Sequence, residues 1–499
     1  LKNISQHTVI SAHLFLPDYS PMNRDSFYPA IACFPLLLML AGCAPMHETR
    51  QALSQQTPAA QVDTVLPTAL KNGWPDSQWW LEYHDNQLTS LINNALQSAP
   101  DMQVAEQRIQ LAEAQAKAVA TQDGPQLDFS ADMERQKMSA EGLMGPFALN
   151  DPAAGTTGPW YTNGTFGLTA GWHLDIWGKN RAEVTARLGT VKARAAEREQ
   201  TRQLLAGSVA RLYWEWQTQA ALNTVLQQIE KEQNTIIATD RQLYQNGITS
   251  SVEGVETDIN ASKTRQQLND VAGKMKIIEA RLSALTNHQT KSLKLKPVAL
   301  PKVASQLPDE LGYSLLARRA DLQAAHWYVE SSLSTIDAAK AAFYPDINLM
   351  AFLQQDALHL SDLFRHSAQQ MGVTAGLTLP IFDSGRLNAN LDIAKAESNL
   401  SIASYNKAVV EAVNDVARAA SQVQTLAEKN QHQAQIERDA LRVVGLAQAR
   451  FNAGLIAGSR VSEARIPALR ERAHGLLLQG QWLDASIQLT GALGGGYKR

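Results

Sequence analysis

The sequence predicts an α+β fold that is mainly α. Three observations carry that prediction: an internal duplication, two very long proline-free stretches, and four short stretches of alternating polarity. Pro100-Asp101 has its counterpart at Ala320-Asp321, and Pro125, ahead of Leu127-Asp128-Phe129, has its counterpart at Pro345, ahead of Ile347-Asn348-Leu349. Both pairs are offset by 220 residues. Leu174-Asp175-Ile176-Trp177-Gly178-Lys179 matches Leu379-Pro380-Ile381-Phe382 followed by Gly385-Arg386, and Tyr244-Gln245-Asn246-Gly247-Ile248 matches Phe451-Asn452-Ala453-Gly454-Leu455. Gly178 to Gly247 and Gly385 to Gly454 span the same 69 residues. Equal internal spacing in both halves indicates one duplicated structural unit.

From Lys179 to Asn246, and again from Arg386 to Ala453, the chain contains no proline and is rich in Ala, Gln, Glu, Arg and Leu. That composition predicts continuous helix supported by i, i+4 pairs. At 1.5 Å per residue each helix would be about 100 Å long, which suits the wall of a helical tube better than an ordinary globular domain. The strand candidates lie between the helices. Leu127, Phe129, Ala131 and Met133 alternate with polar residues, as do Phe166, Leu168, Ala170, Trp172 and Leu174. In the second half the series are Ile347, Leu349, Ala351, Leu353 and then Val373, Ala375, Leu377, Leu379. Period-two alternation marks half-exposed strands and fits a membrane barrel, with Trp160, Tyr161, Trp177, Phe343, Tyr344 and Phe382 as an interfacial girdle. A soluble two-hairpin sheet fits the alternation alone equally well; the N-terminus and the long helices decide for the membrane. Four strands cannot close a barrel, and open edges are not tolerated in lipid, so a membrane sheet of this size requires several copies.

The composition is 44% hydrophobic and 19% charged, with a formal net charge of -3. This balance lacks the concentrated basic face that nucleic acid demands. Arg318-Arg319 and Arg470-Glu471-Arg472 read as solvated helix faces or salt-bridge partners. The two cysteines, Cys33 and Cys43, are both N-terminal. Leu40-Ala41-Gly42-Cys43 forms a lipobox behind a short apolar run, Ala30 to Leu40, preceded by Arg24; the run is too short to span a bilayer but suits a signal peptide. The expectation is a start at Met22, with residues 1–21 as upstream sequence, and cleavage before Cys43. Cys43 would then carry an S-diacylglycerol and an N-palmitoyl group, each buried CH₂ contributing about 0.8 kcal/mol of membrane affinity.

Three blocks resemble the outer-membrane factors of efflux and secretion, the TolC-like family, in its multidrug-resistance lipoprotein branch. The first is Trp79-Trp80 followed by Leu88, Leu91, Ile92, Ala95 and Leu96. The second runs from Leu316-Ala317-Arg318-Arg319-Ala320-Asp321-Leu322 to Ala338-Ala339-Lys340-Ala341-Ala342-Phe343-Tyr344-Pro345, and the third is Gly376 through Leu379-Pro380-Ile381-Phe382-Asp383-Ser384-Gly385-Arg386. Ala320 departs from the family's usual proline. The resemblance implies a trimeric channel-tunnel: four transmembrane strands per protomer, twelve in the closed barrel, above a long periplasmic α-helical barrel. It also implies a collar built from the N-terminal segment, the Pro-rich linker and the C-terminus. Ala44 after the cysteine, in place of Asp, is the enterobacterial pattern for passage to the outer membrane.

The resulting organisation is 1–42 upstream extension and signal, 43–100 anchor and equatorial segment, 101–287 first efflux repeat, 288–312 linker, and 313–499 second repeat with tail. The sequence contains no His-Glu-x-x-His, Gly-x-Ser-x-Gly or Walker motif and no clustered His/Cys set, so no enzyme activity and no cofactor beyond the Cys43 lipid are expected. His326 and His432 read as packing or surface residues, and Gly494-Gly495-Gly496 as a flexible tail. Gly247 and Gly454 read as left-handed helix stops. By the resemblance these turns are tips that dock a periplasmic adaptor, through Gly454, Leu455, Val461 and Ala464 and through Gly247, Ile248 and Val255. The resemblance also places a periplasmic gate at Arg460 and Glu463, where a mixed-charge ring would weaken cation selectivity. The function implied is passive export of drugs or other small toxic molecules, energised by an inner-membrane pump. The exit duct of a type I protein-secretion system and a periplasm-bracing lipoprotein are the competing readings.

Overall fold

The computed structural model describes residues 46, 52–55, 74–137, 139, 160–248, 251–287, 293–302 and 312–497. Cys43, Ala44 and the signal reading of 1–42 lie outside them. A 3-10 turn at Trp79–Tyr83 leads into α1 (Asn86–Ser98), α2 (Pro100–Ala120), β1 (Gln126–Lys137) and β2 (Trp160–Leu174). The long helix α3 (Lys179–Gln245) and α4 (Ser251–Leu285) complete the first half. The second half repeats the order as α5 (Gly312–Arg318), α6 (Ala320–Ala341), β3 (Asp346–Ala357), β4 (Gln369–Thr378), α7 (Arg386–Asn452) and α8 (Gly458–Ala492). The two long helices are 67 residues each. Both begin after a left-handed glycine, Gly178 and Gly385. An aspartate accepts first-turn N–H groups in each: Asp175 from Asn180 and Arg181, Asp383 from Leu387. A carboxylate there satisfies orphan donors and meets the positive end of the helix dipole.

The four strands form one antiparallel sheet in the order β1-β2-β3-β4, and among the described residues one side of β1 and one side of β4 have no strand partner. Its register sorts the residues by face. Leu127, Phe129 and Ala131 pair with Ala170, Leu168 and Phe166. Ala170 and Leu168 pair onward with Ala351 and Leu353, which pair with Val373 and Met371. A one-residue slip at any strand would break this apolar face. The other face carries Asp128, Ser130, Asp132, Glu134, Thr165, Thr169, Asn348, Asp356 and Thr374, interrupted by Met350 and by Phe352, whose ring fills the space above Gly372.

The helices form a second layer. α2 and α4 pack along one side of α3, α6 and α8 along its other side, and α7 lies beyond α6 and α8. As in the sheet, the two outermost elements each have a free flank in the protomer. Exposed Val104 and Leu111 lie seven residues apart on α2; Ile393 and Leu400, then Ile436 and Val443, show the same spacing on α7. Heptad spacing on a solvent-facing flank is the pattern of a helix that packs on another.

One face of the layer is covered by a collar. Trp79, Trp80 and the apolar side of α1 pack on Val209, Tyr213 and Trp216 of α3. Asp85 caps α1 through the N–H groups of Gln87 and Leu88 and accepts the Tyr213 hydroxyl at 2.7 Å. Burial, then that hydrogen bond, pushes the Tyr213 phenol well above its ordinary pKa, so it stays a donor. The segment 293–302 runs across the collar held by two glutamines. Gln87 exchanges hydrogen bonds with the backbone of Lys296, while fully buried Gln217 donates to Lys296 O and accepts from Val298 N–H.

Three expectations are corrected. Phe343 is 3% exposed and plugs a small core with Leu387 and Leu391, so it does not belong to the girdle. Leu379 lies past the end of β4. Gly494-Gly495-Gly496 is a packed cap: all three residues have positive φ, Gly495 N–H bonds to Thr490 O, and a Cβ on Gly494 or Gly496 would strike the backbone of Arg318 or Asp76. Composition does not distinguish the two cases, because glycine permits both freedom and close backbone approach.

Removing the buried amide in Gln217→Leu leaves Val298 N–H without a side-chain partner and Lys296 O with Gln87 as its remaining side-chain donor. An unpaired group of this kind costs about 1–3 kcal/mol. A lowered thermal midpoint with faster amide exchange in 293–302 is expected; unchanged exchange there would contradict the role given to Gln217.

Candidate functional site: tips, tunnel face and membrane face

At the far end from the sheet, α3 and α7 stop in the same way. Gly247 N–H bonds to Tyr244 O and Ile248 N–H to Leu243 O; Gly454 N–H bonds to Phe451 O and Leu455 N–H to Arg450 O. Both glycines have φ +71. This is the Schellman termination, which needs a left-handed residue and turns the chain back. It thrusts Ile248 and Leu455 outward, at 68% and 73% exposure, beside exposed Val255. Val461 differs: it is 4% exposed and supports its turn from inside the protomer, and Ala464 is half-buried. Exposed Tyr244, Val252 and Phe451 join the apolar tip; their one signal in the sequence is an apolar side chain within seven residues of a turn glycine. Arg460 and Glu463 form an ion pair at 2.6 Å one turn into α8.

On α3, Arg211, Glu215 and Thr218 lie on the side opposite the collar. They border a cavity of about 790 Å³ between α3 and α7, floored by Gly480 and Asp484 of α8. Arg211 bonds to Asp484 through its guanidinium, and Gln488 joins the same carboxylate. Nearby, Arg319 pairs with Asp321 at 2.6 Å and Asp415 at 3.7 Å. Burial opposes the Arg319 charge, but its hydrogen bond to Asp321 and the two carboxylates raise its pKa on balance. Among the described residues no group of three or more His, Cys, Asp or Glu is placed to hold a metal ion. No helix there is long and apolar enough to cross a membrane. His326 packs near the rings of Trp327 and Tyr405.

A sheet apolar on one face and polar on the other, continued by a helical layer with a polar side, is one segment of a membrane channel wall. The chain belongs to the outer membrane efflux protein family, whose pattern it matches over residues 91–288 and 311–495. It is therefore an outer-membrane efflux channel protein with the TolC-like fold. It is 99% identical over 478 residues, 96% of this chain and 100% of the relative, to the multidrug resistance outer membrane protein MdtQ of Escherichia coli O6:H1. It is 36% identical to the multidrug resistance outer membrane protein MdtP of Shigella flexneri, over 92% of this chain and 94% of that one. The crystal structure of the outer membrane protein VceC of Vibrio cholerae matches with TM-score 0.72 and 26% identity, over 85% of this chain and 100% of that one. The CmeC outer membrane channel of Campylobacter jejuni matches in fold with TM-score 0.77 at 19% identity, over 92% and 95%.

Replacing either stop glycine forces a Cβ into the left-handed region, at about 1–2 kcal/mol. Gly454→Ala is expected to speed amide exchange in the last turn of α7 and leave the sheet unchanged; equal protection in both proteins would show that the turn does not need the glycine.

Proposed function

We propose that three copies of the chain close into a passive conduit for small toxic molecules, fed at the tips by a periplasmic adaptor and an inner-membrane pump. One observation carries this reading: the sheet and the helical layer both end in free flanks among the described residues, with α2 leading into edge strand β1 and edge strand β4 leading into α7. The β1 flank of one copy would pair with the β4 flank of the next, and α2 with α4 would meet α7. Unlike flanks joining head to tail generate a ring when the rotation closes. The number three comes from the family resemblance, which gives twelve strands. The apolar face then meets lipid and the polar face lines a water-filled lumen, as an outer-membrane barrel requires. The collar lies outside the tunnel, and the Arg211–Asp484 side lies inside it.

The small-molecule assignment is supported by the names of the two multidrug-resistance relatives. No chemistry is assigned to the chain; its role is to hold an open path. Acylated Cys43 would anchor the N-terminal segment in the inner leaflet, consistent with Leu53 N–H bonding to Asn399 and Asn406 bonding to Ser54 O along α7. The exposed apolar tips at Ile248, Val255 and Leu455 would receive the adaptor.

Photo-crosslinking in cells from position Leu455 is expected to capture a periplasmic adaptor belonging to an efflux pump. An adaptor belonging to a protein-secretion machine would refute the small-molecule assignment, and the absence of any adaptor would refute the tip assignment. At the entrance, Arg460 neutralises Glu463, so Arg460→Ala is expected to shift the reversal potential in a salt gradient toward cations. No shift would remove this pair from the gate.

A further inference from the structure

The outer end of the sheet, away from the helices, separates charge by face. Asp132 and Glu134 of β1 and Asp356 of β3 all fall on the polar face. Arg135 and Lys137 fall on the apolar face, in register with Thr162 and Trp160. The Arg135 guanidinium lies 5.9 Å from the exposed Trp160 ring. Cations on the face that meets lipid are costly in the hydrocarbon and favourable only at the headgroups. Leu127 to Lys137 covers about 33 Å along the strand, or roughly 25 Å along the membrane normal at the usual barrel tilt. That is the height of the apolar band, so Arg135 and Lys137 reach the outer headgroup layer.

The loop after β3 lies on the same side. A Cβ on Gly164, which would project from the apolar face, would meet Leu363 Cδ1 at 2.8 Å and Leu360 Cδ2 at 3.0 Å. Gly164 thus lets the loop fold outward over the lipid-facing side, away from the lumen. The Phe364 ring lies tilted against Phe166 of that face, centroids 5.6 Å apart, yet remains 84% exposed, and Leu358 and Leu360 are exposed beside it. Arg365 follows, largely exposed, with Asp362 at 3.3 Å. Exposed apolar residues continuous with a lipid-facing surface, and flanked by cations, match an anionic lipid layer.

We infer that the outer rim is a docking surface for phosphate-bearing glycolipid of the outer leaflet. Leu358, Leu360 and Phe364 enter the acyl layer, and Arg135, Lys137 and Arg365 receive the headgroup phosphates. This requires only that the apolar face meets lipid; it does not depend on the adaptor or on the substrate.

The test uses full-length protein in cells, with a benzophenone amino acid in place of Phe364. Irradiation is expected to yield an adduct with a phosphorylated glycolipid, identified by mass spectrometry. Adding Arg135→Gln, Lys137→Gln and Arg365→Gln is expected to lower the retention of bisphosphorylated lipid A by purified protein, about fivefold per cation removed. A second copy of this chain as the adduct, or no adduct, overturns the proposal. Undiminished lipid A retention by a triple variant of normal thermal stability also overturns it. Equal retention of phosphatidylglycerol would overturn the glycolipid assignment and leave bare phosphate as the ligand. If the triple variant does not fold, the adduct from the otherwise native chain decides.

Discussion

Two strand edges that cannot stay open govern this molecule. The free sides of β1 and β4 carry backbone N–H and C=O groups that, among the described residues, no strand of the same protomer pairs. Within hydrocarbon each such group costs several kcal/mol, so a lipid-facing sheet persists only when closed. The apolar face, with Leu127, Phe129, Leu168, Leu353 and Val373 in register, commits the sheet to lipid. The edges then commit it to other copies.

The helical layer inherits the same constraint at a lower energetic penalty, because helices satisfy their own backbone groups. Its free flanks instead carry exposed apolar side chains at heptad spacing on α2 and α7. Duplication makes the arrangement consistent. Two 67-residue helices with identical Schellman stops end at the same depth, so both turns of a protomer reach the tip. The collar fixes the middle of this long layer. Asp85, Tyr213, Gln87 and Gln217 tie α1 and the segment 293–302 to α3 through hydrogen bonds that tolerate little displacement.

Much of this was legible in the sequence because it rests on periodicity and spacing. The 69-residue glycine interval gave the long helices to within a residue, and alternating polarity located all four strands. The outer ends of the strands were not legible. β1 continues to Lys137, beyond the last apolar residue of its alternation, with Arg135 and Lys137 taking the places of apolar side chains on that face. Burial within the tip was also hidden. Val461 and Leu455 are similar in type and near in sequence, but only the turn's geometry puts one inside and the other out. Phe343 is likewise aromatic beside a strand end, and only the packing of α7 shows that it fills a core. The triple glycine was misread because composition does not distinguish a mobile glycine from one pressed against another backbone.

The most direct test of closure is a cysteine scan across the free strand edges, pairing positions 128, 130 and 132 of β1 with 372, 374 and 376 of β4. Oxidation in isolated outer membranes, followed by denaturing electrophoresis, should give at one register a ladder that ends at three copies. A ladder running past three, or no intermolecular cross-link at any register, would contradict closure of the channel by three copies.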